Sequence, residues 1–228
     1  MPATLGEVKS KSYMRQEGII APDVLKEAKI VIIGAGAVGS FVTLSLAKMG
    51  CSNIEVFDND IVQSHNLPNQ FYRLCDLDKP KVIALQEIIK MYEGIDITVH
   101  NERYNGQSLK GIVISAVDSL DVRKFIWEQI RGSEDTRWYI DTRMGGLLMR
   151  IFTVDISNTL WKGQYEKMIM NPKAKDSLME IKCTARSILY NVLFIAGLAS
   201  SLVVKILKGE KVPGQVIFDF KTYTFIKE

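Results

Sequence analysis

The feature that most constrains this chain is the run Ile30-Val-Ile-Ile33, which passes directly into Gly34-Ala-Gly36-Ala-Val-Gly39. Four consecutive β-branched residues make a short strand buried on both faces, as in the middle of a parallel sheet. The three glycines that follow have separate mechanical jobs. Gly34 allows a tight turn, Gly36 lets backbone approach a phosphate, and Gly39 permits close packing of helix on strand. An apolar helix follows and stops at Gly50, the residue type expected in a left-handed C-terminal position. A helix that starts beside such a turn offers free N–H groups and partial positive charge to an anion. Asp58, ending the next strand (Ile54 to Phe57), is placed to bond ribose hydroxyls. These residues point to a nucleotide site, in preference to a glycine turn that holds no ligand, but do not say which nucleotide: NAD, FAD and ATP all stay open.

The rest of the chain repeats the same alternation. Residues 61–80 are rich in Asn, Asp and Pro and read as loop, and Val82, Leu85, Ile89 and Tyr92 recur at helical spacing. Ile95 to Val99, Gly111 to Val117 and Arg137 to Asp141 read as strands, with a helix capped by Ser119 and ending at Gly132 between the last two. After Gly145-Gly146, Leu147 to Val154 reads as an antiparallel return. The fold class expected is α/β, a Rossmann-like doubly wound, mainly parallel sheet with antiparallel C-terminal strands. Residues 1–28 are expected to be an N-terminal arm, and 29–228 a single nucleotide-binding domain. Residues 156–186 show no clear periodicity and carry Lys162, Lys167, Lys173, Lys175 and Lys182, so a long mobile crossover loop is expected there. A helix over 187–207 and an alternating strand near 215–226 close the fold.

Composition narrows the class. The 228 residues are 47% hydrophobic and 24% charged, enough to bury one proper core. A net charge of +3, from 29 basic against 26 acidic residues, marks neither DNA nor an anionic membrane as a partner. Ile188 to Val204 is nearly all apolar, but Asn191, Gly197, Ser200 and Ser201 dilute it, and a helix buried against the sheet is expected rather than a membrane span. Cys51, Cys75 and Cys183 are far apart, which argues against a disulfide framework or a four-thiolate zinc site and fits a reducing cytoplasm. The N-terminus lacks the apolar segment of a secretory signal.

After Asp58 the chain reads Asp60-Ile-Val-Gln-Ser-His-Asn66-Leu-Pro-Asn69-Gln70, and later Pro80-Lys81 opens a helix. Asp118 ends a strand and Arg123 follows five residues on, while Ser12-Tyr13-Met14-Arg15-Gln16 lies upstream. In these motifs the sequence resembles the ubiquitin-activating-enzyme-like superfamily, also called the ThiF/MoeB type, over residues 12–155 and 183–207. The resemblance implies an adenylation domain that uses ATP and Mg²⁺ to adenylate the C-terminal glycine carboxylate of a small ubiquitin-fold or sulfur-carrier protein. It implies that Gly34, Gly36, Ala37, Gly39, Asp58, Asp60, Asn66, Asn69, Gln70 and Lys81 bind the nucleotide. It further implies that Lys81 contacts the phosphates, that Asp118 holds the metal, and that Arg15 reaches the neighbouring subunit's phosphates across a two-fold homodimer, or a heterodimer with a related subunit.

One position departs from the family pattern. Asn69 stands where relatives have an arginine, and it brings no charge to a phosphate; Arg73 is the candidate substitute. The departure keeps a non-catalytic subunit of a heterodimeric activating enzyme among the readings, beside activation of a small carboxylate on tRNA and an NAD- or FAD-dependent oxidoreductase. Cys183-Thr184 resembles the pair that carries the thioester cysteine in eukaryotic activating enzymes. Lys182 and Arg186 would favour its thiolate, and a packing role beside the apolar helix stays equally open.

Overall fold

The computed structural model describes residues 13–170 and 188–228. A short helix α1 (Pro22–Glu27) precedes β1 (Lys29–Ile33), α2 (Ala37–Lys48) and β2 (Asn53–Phe57). Two 3₁₀ turns, Ser64–Asn66 and Leu74–Asp76, interrupt the next segment before α3 (Lys81–Glu93) and β3 (Thr98–His100). Then come β4 (Gly111–Ser115), α4 (Leu120–Ile130), β5 (Thr136–Gly145) and β6 (Leu148–Asp155). Helices α5 (Thr159–Met170) and α6 (Leu189–Leu207) lead to β7 (Gln215–Asp219) and β8 (Thr224–Lys227).

The strands form one sheet in the order β3-β2-β1-β4-β5-β6-β7-β8. Pairing is parallel from β3 through β5 and antiparallel from β5 to β8. The expected fold class is the observed one. Strand alternation explains why β1 reads as an unbroken apolar run: Ile30 and Ile32 face the core under α2, α3 and α6, whereas Val31 and Ile33 face a second core under α4 and α5. The order reverses between β1 and β4, and their carboxyl ends open the crevice where ligands bind in such sheets.

Two expectations are corrected. Residues 156–186 are not loop throughout, because α5 occupies 159–170. Asn158 caps it, its Oδ1 accepting from the Leu160 and Trp161 amides at 3.0 and 3.2 Å, and Tyr165 and Ile169 bury one narrow stripe. That stripe is thin, and Gly163 with the charges of Lys162, Glu166 and Lys167 hid the helical period. The single strand expected near 215–226 is a hairpin, β7 and β8, turned through Tyr223 at φ 54°. Elsewhere the limits agree within a few residues, except that β5 runs on to Gly145 because β6 pairs along its whole length.

Helix α6 packs on α2, β5 and β6, burying Val192, Ile195, Ala196, Ala199, Leu202 and Val203, and leaves Leu189, Tyr190, Leu193 and Phe194 exposed. It is long and apolar enough to cross a membrane by length and composition alone. Its one buried amide is placed: Asn191 Nδ2 donates to the Gly146 carbonyl at the β5–β6 turn.

Candidate functional site

A cavity of about 810 Å³ opens where β1, β2 and β4 end. Its floor is the glycine turn. Gly34 sits at φ +100°, and a methyl added there would lie 2.7 Å from the Ala116 carbonyl oxygen. A methyl on Gly39 would lie 1.8 Å from the Gly34 carbonyl oxygen, so α2 can start this close to the turn only with glycine there. A methyl on Gly36 meets nothing within 4 Å, because Gly36 faces the open cavity. No side chain caps α2, so its first-turn amides are directed at whatever fills that space.

The second strand closes the turn from the side. Asp58 Oδ2 accepts from the Ala35 amide and Oδ1 from the Asp60 amide, each at 2.7 Å. Burial pushes the Asp58 carboxyl up from its usual value, and the Lys81 charge and these two amides pull partly against it. The 61–80 segment then folds back over the glycines. Tyr72 Oη donates to the Ala35 carbonyl at 2.6 Å, and the Phe71 amide donates to Ser40 Oγ at 3.0 Å. Asn66 is buried and holds this segment's own turn, its Oδ1 accepting from the Gln63 amide at 2.9 Å and its carbonyl from the Gln70 amide at 2.9 Å.

Lys81 opens α3 and points back into the cavity. Its side chain is 7% exposed, and its Nζ lies 2.8 Å from Asp60 Oδ2, whose own side chain is 61% exposed. Asp60 therefore holds Lys81 extended while keeping a solvent-facing oxygen. Across the cavity, Asp118 stands exposed at the end of β4, its carboxylate taking no hydrogen bond or ion pair from the described residues. Ser119 caps α4 through the Val122 amide at 3.4 Å.

Of the residues expected at a site, the structure gathers Gly34, Gly36, Ala37, Asp58, Asp60, Asn66, Asn69, Gln70, Lys81 and Asp118 along this one cavity, with Gly39 packed behind the turn. Arg15 is not among them. It is exposed, and its neighbours Tyr13 and Gln16 pack on Gly50 and donate to the Met49 carbonyl at the far end of α2. Cys183 lies outside the described residues. Arg73 does not take the place that Asn69 leaves uncharged: it is forked onto Asp76 at 2.8 and 2.7 Å, beside Glu87, and does not line the cavity. Cys51 is fully buried with its thiol pushed up to about 12 by burial, as a packing cysteine should be.

Several wall residues escaped the sequence reading. Arg103 and Tyr104 follow β3, and Thr142 and Met144 extend β5. The rule that ligands bind beyond strand carboxyl ends points to the loop after β3, but no motif in that loop singles out Arg103.

The walls carry Asp58, Asp60, Glu102, Asp118 and Asp121 against Lys81, Arg103 and Arg123. Carboxylates outnumber cations, so a polyphosphate would enter this cavity well only with a divalent cation. Among the described residues no group of three or more His, Cys, Asp or Glu side chains forms a metal cage. A single free carboxylate suits Mg²⁺, which is commonly held by one or two carboxylates plus substrate phosphates and water. Asp118 fits that role.

Comparison with known proteins agrees with this geometry. The sequence pattern of the family described as "ThiF family" matches residues 14–227. The chain is 32% identical over 111 residues to the NEDD8-activating enzyme E1 catalytic subunit of Arabidopsis thaliana, covering 46% of this chain and 24% of that protein. It is 31% identical over 99 residues to the sulfur carrier protein ThiS adenylyltransferase of Escherichia coli K12, covering 42% of this chain and 39% of that protein. The matches thus span about a quarter to two-fifths of these relatives' own length. The crystal structure of PaaA superposes over 100% of this chain and 84% of its own, with a TM-score of 0.76 at 20% identity, a likeness of fold.

Proposed function

This chain belongs to the ThiF family, and from that premise we propose that it is an ATP-dependent adenylyltransferase acting on the C-terminal glycine carboxylate of a small ubiquitin-like or sulfur-carrier protein. The observation that carries the reading is the joint convergence of the Gly34–Gly36 turn, Asp58, the Asp60–Lys81 pair and Asp118 on one cavity. The named activity of the relatives supports it: one is an adenylyltransferase for a sulfur carrier and another activates NEDD8.

In this reading the acceptor carboxylate attacks the α-phosphorus of ATP and pyrophosphate leaves, so negative charge grows on the phosphate oxygens. The first-turn amides of α2 and the Lys81 ammonium face that charge from fixed positions, which stabilises it without reorganisation. Asp58 orients the ribose edge while its two amide bonds hold the glycine turn in register. Asp118 is the residue that would hold Mg²⁺, which when bound would supply positive charge to the leaving pyrophosphate. Arg15 sits at the far end of α2 from its own cavity, so it serves the site of a second subunit in a two-fold dimer. Cys183, by the resemblance of Cys183-Thr184, is the candidate thiol to attack the acyl adenylate, releasing AMP and taking the acyl group as a thioester.

The test is pyrophosphate exchange into ATP with glycine-ended carrier proteins, run on wild type and on Cys183→Ser. Carrier-dependent exchange that survives Cys183→Ser, with loss of a thiol-labile carrier adduct, supports both steps. Exchange at background with every carrier, in a protein that binds MgATP, contradicts the enzyme. A second reading has its own observation: Asn69 is uncharged and Arg73 is committed to Asp76. On that reading the chain is the non-catalytic half of a heterodimer, and exchange would appear only when a related subunit is added.

A further inference from the structure

On the α4/α5 side of the sheet lies a largely buried charged cluster, with Arg123 reaching the cavity wall. Asp141 is fully buried. Its Oδ1 accepts from the Arg123 guanidinium, and its Oδ2 accepts from Arg143 Nε and from Tyr165 Oη, both at 2.8 Å. Burial alone would raise this carboxyl, but the two arginines and the phenol outweigh it and hold it below the usual carboxylate range. The same burial pushes the Tyr165 phenol well above its ordinary value, so it stays a donor.

Arg123 spends its remaining hydrogen bonds on one place. It donates to Ser115 Oγ at 3.4 Å and to the Val117 carbonyl oxygen. That carbonyl belongs to the peptide plane joining Val117 to Asp118, and a trans peptide is rigid. Fixing the Val117 oxygen therefore fixes the plane from which the Asp118 side chain hangs, on the cavity side of the same turn. Tyr165 comes from α5, which packs on β6 on the same face of the sheet.

We propose that Arg123, Asp141 and Tyr165 are positioning residues that lock the Val117–Asp118 peptide plane, so that the seat of α5 sets how Asp118 is aimed into the cavity. The functional consequence rests on the MgATP reading above, but the lock itself does not. A stabilising cluster with no such role would change the melting temperature and nothing else.

The experiment uses Tyr165→Phe, which keeps the ring packed against Trp127 and Phe152 and removes only the hydroxyl, and Arg123→Lys, which keeps the charge but cannot span two acceptors. Hydrogen exchange in nucleotide-free protein reads the lock at the Val122 and Arg123 amides, whose acceptors are both on Ser119. The expected result is about tenfold faster exchange there, from loss of roughly one hydrogen bond, with the Gly34 amide bonded to the Phe57 carbonyl unchanged. The Mg²⁺ concentration giving half of the ATP-dependent thermal shift should rise about tenfold, the scale for losing a residue that orients a metal ligand, while ATP affinity in EDTA stays the same in Tyr165→Phe, whose side chain does not line the cavity. Wild-type exchange at both amides in the two variants, whatever their melting temperature, would overturn the lock. A lock that loosens with no change in Mg²⁺ dependence would overturn its link to Asp118. Wild type that ignores MgATP would instead sink the nucleotide reading, and the exchange data would still judge the lock.

Discussion

Gly36 and Gly39 are three residues apart, the N-cap and the first turn of α2, yet the structure demands opposite outcomes from the same substitution. At Gly39 the new methyl would sit 1.8 Å from the Gly34 carbonyl oxygen and 3.4 Å from Ala116 Cβ. Gly34 cannot retreat, since it is itself wedged against the Ala116 backbone at φ +100°. Helix α2 would have to move by more than an ångström, and overpacking of this kind costs about 1–3 kcal/mol. For a chain of this size that lowers the melting temperature by about 2–12 °C. At Gly36 the methyl meets nothing within 4 Å, and φ is −76°, which alanine adopts freely. Weaker N-capping by alanine costs a few tenths to about 1 kcal/mol, and the stiffer unfolded chain returns about 0.4–1 kcal/mol. Gly36→Ala should therefore melt like wild type.

Ligand response separates the two further. MgATP at a hundred times its dissociation constant stabilises wild type by about 2.7 kcal/mol, or about 5–11 °C. Gly36→Ala should lose most of that shift, because the methyl occupies the space that a phosphate needs. Differential scanning fluorimetry with and without MgATP measures both numbers in one plate. Full MgATP stabilisation of Gly36→Ala, or wild-type melting of Gly39→Ala, would refute the assignment of open and closed sides to this turn.

Other substitutions probe the remaining parts. Lys81→Met should cut pyrophosphate exchange by about 10²–10³-fold, the scale for one pre-placed charge-stabilising group, with the melting temperature little changed because Asp60 is left in water; a loss under threefold would remove Lys81 from the reaction. Asp141 has a folded-state carboxyl below its unfolded value of 3.8, so its contribution to stability is present above that pH and is lost as pH falls through the folded value. Asp141→Asn should cost about 3–5 kcal/mol at neutral pH by stranding Arg123 and Arg143, and urea melts should show less of the acid-side fall than wild type; an unchanged acid limb would contradict the assignment. If Arg15 serves a neighbour, equal mixing of inactive Arg15→Ala and Asp118→Ala chains should restore roughly a quarter of wild-type exchange through hybrid dimers. Recovery of none in dimers shown to exchange subunits would mean that Arg15 acts within its own subunit, and full activity of Arg15→Ala alone would place it outside the site.

What the sequence revealed, and what it hid, follows from how local each signal is. The β1–glycine–α2 unit was readable because strand, turn and helix are consecutive and each glycine answers a local steric demand. Asp58 was legible from its place at the end of β2, and Asp60 and Lys81 through the family resemblance; their convergence rests on a fold-back that Tyr72 and Ser40 secure over a separation no periodicity records. Helix α5 was missed because one face of two residues, Tyr165 and Ile169, is too narrow to register against its lysines. The Asp141 cluster was invisible for a stronger reason. Its members come from α4, β5 and α5, and its meaning lies in a single carbonyl at Val117 that no side-chain pattern encodes. Arg73 shows the converse: it lay at a plausible spacing from Asn69, but Asp76 lies three residues on and takes its Nε and Nη2 hydrogen bonds.

The central claim is that the cavity over Gly36 takes MgATP, and calorimetric titration of the full chain with MgATP and, separately, with NAD tests it most directly. The account predicts saturable binding of MgATP that weakens in Asp118→Ala and is lost in Gly36→Ala, with no heat from NAD. Binding of NAD without binding of MgATP would contradict it and return the chain to the oxidoreductases that share this glycine turn.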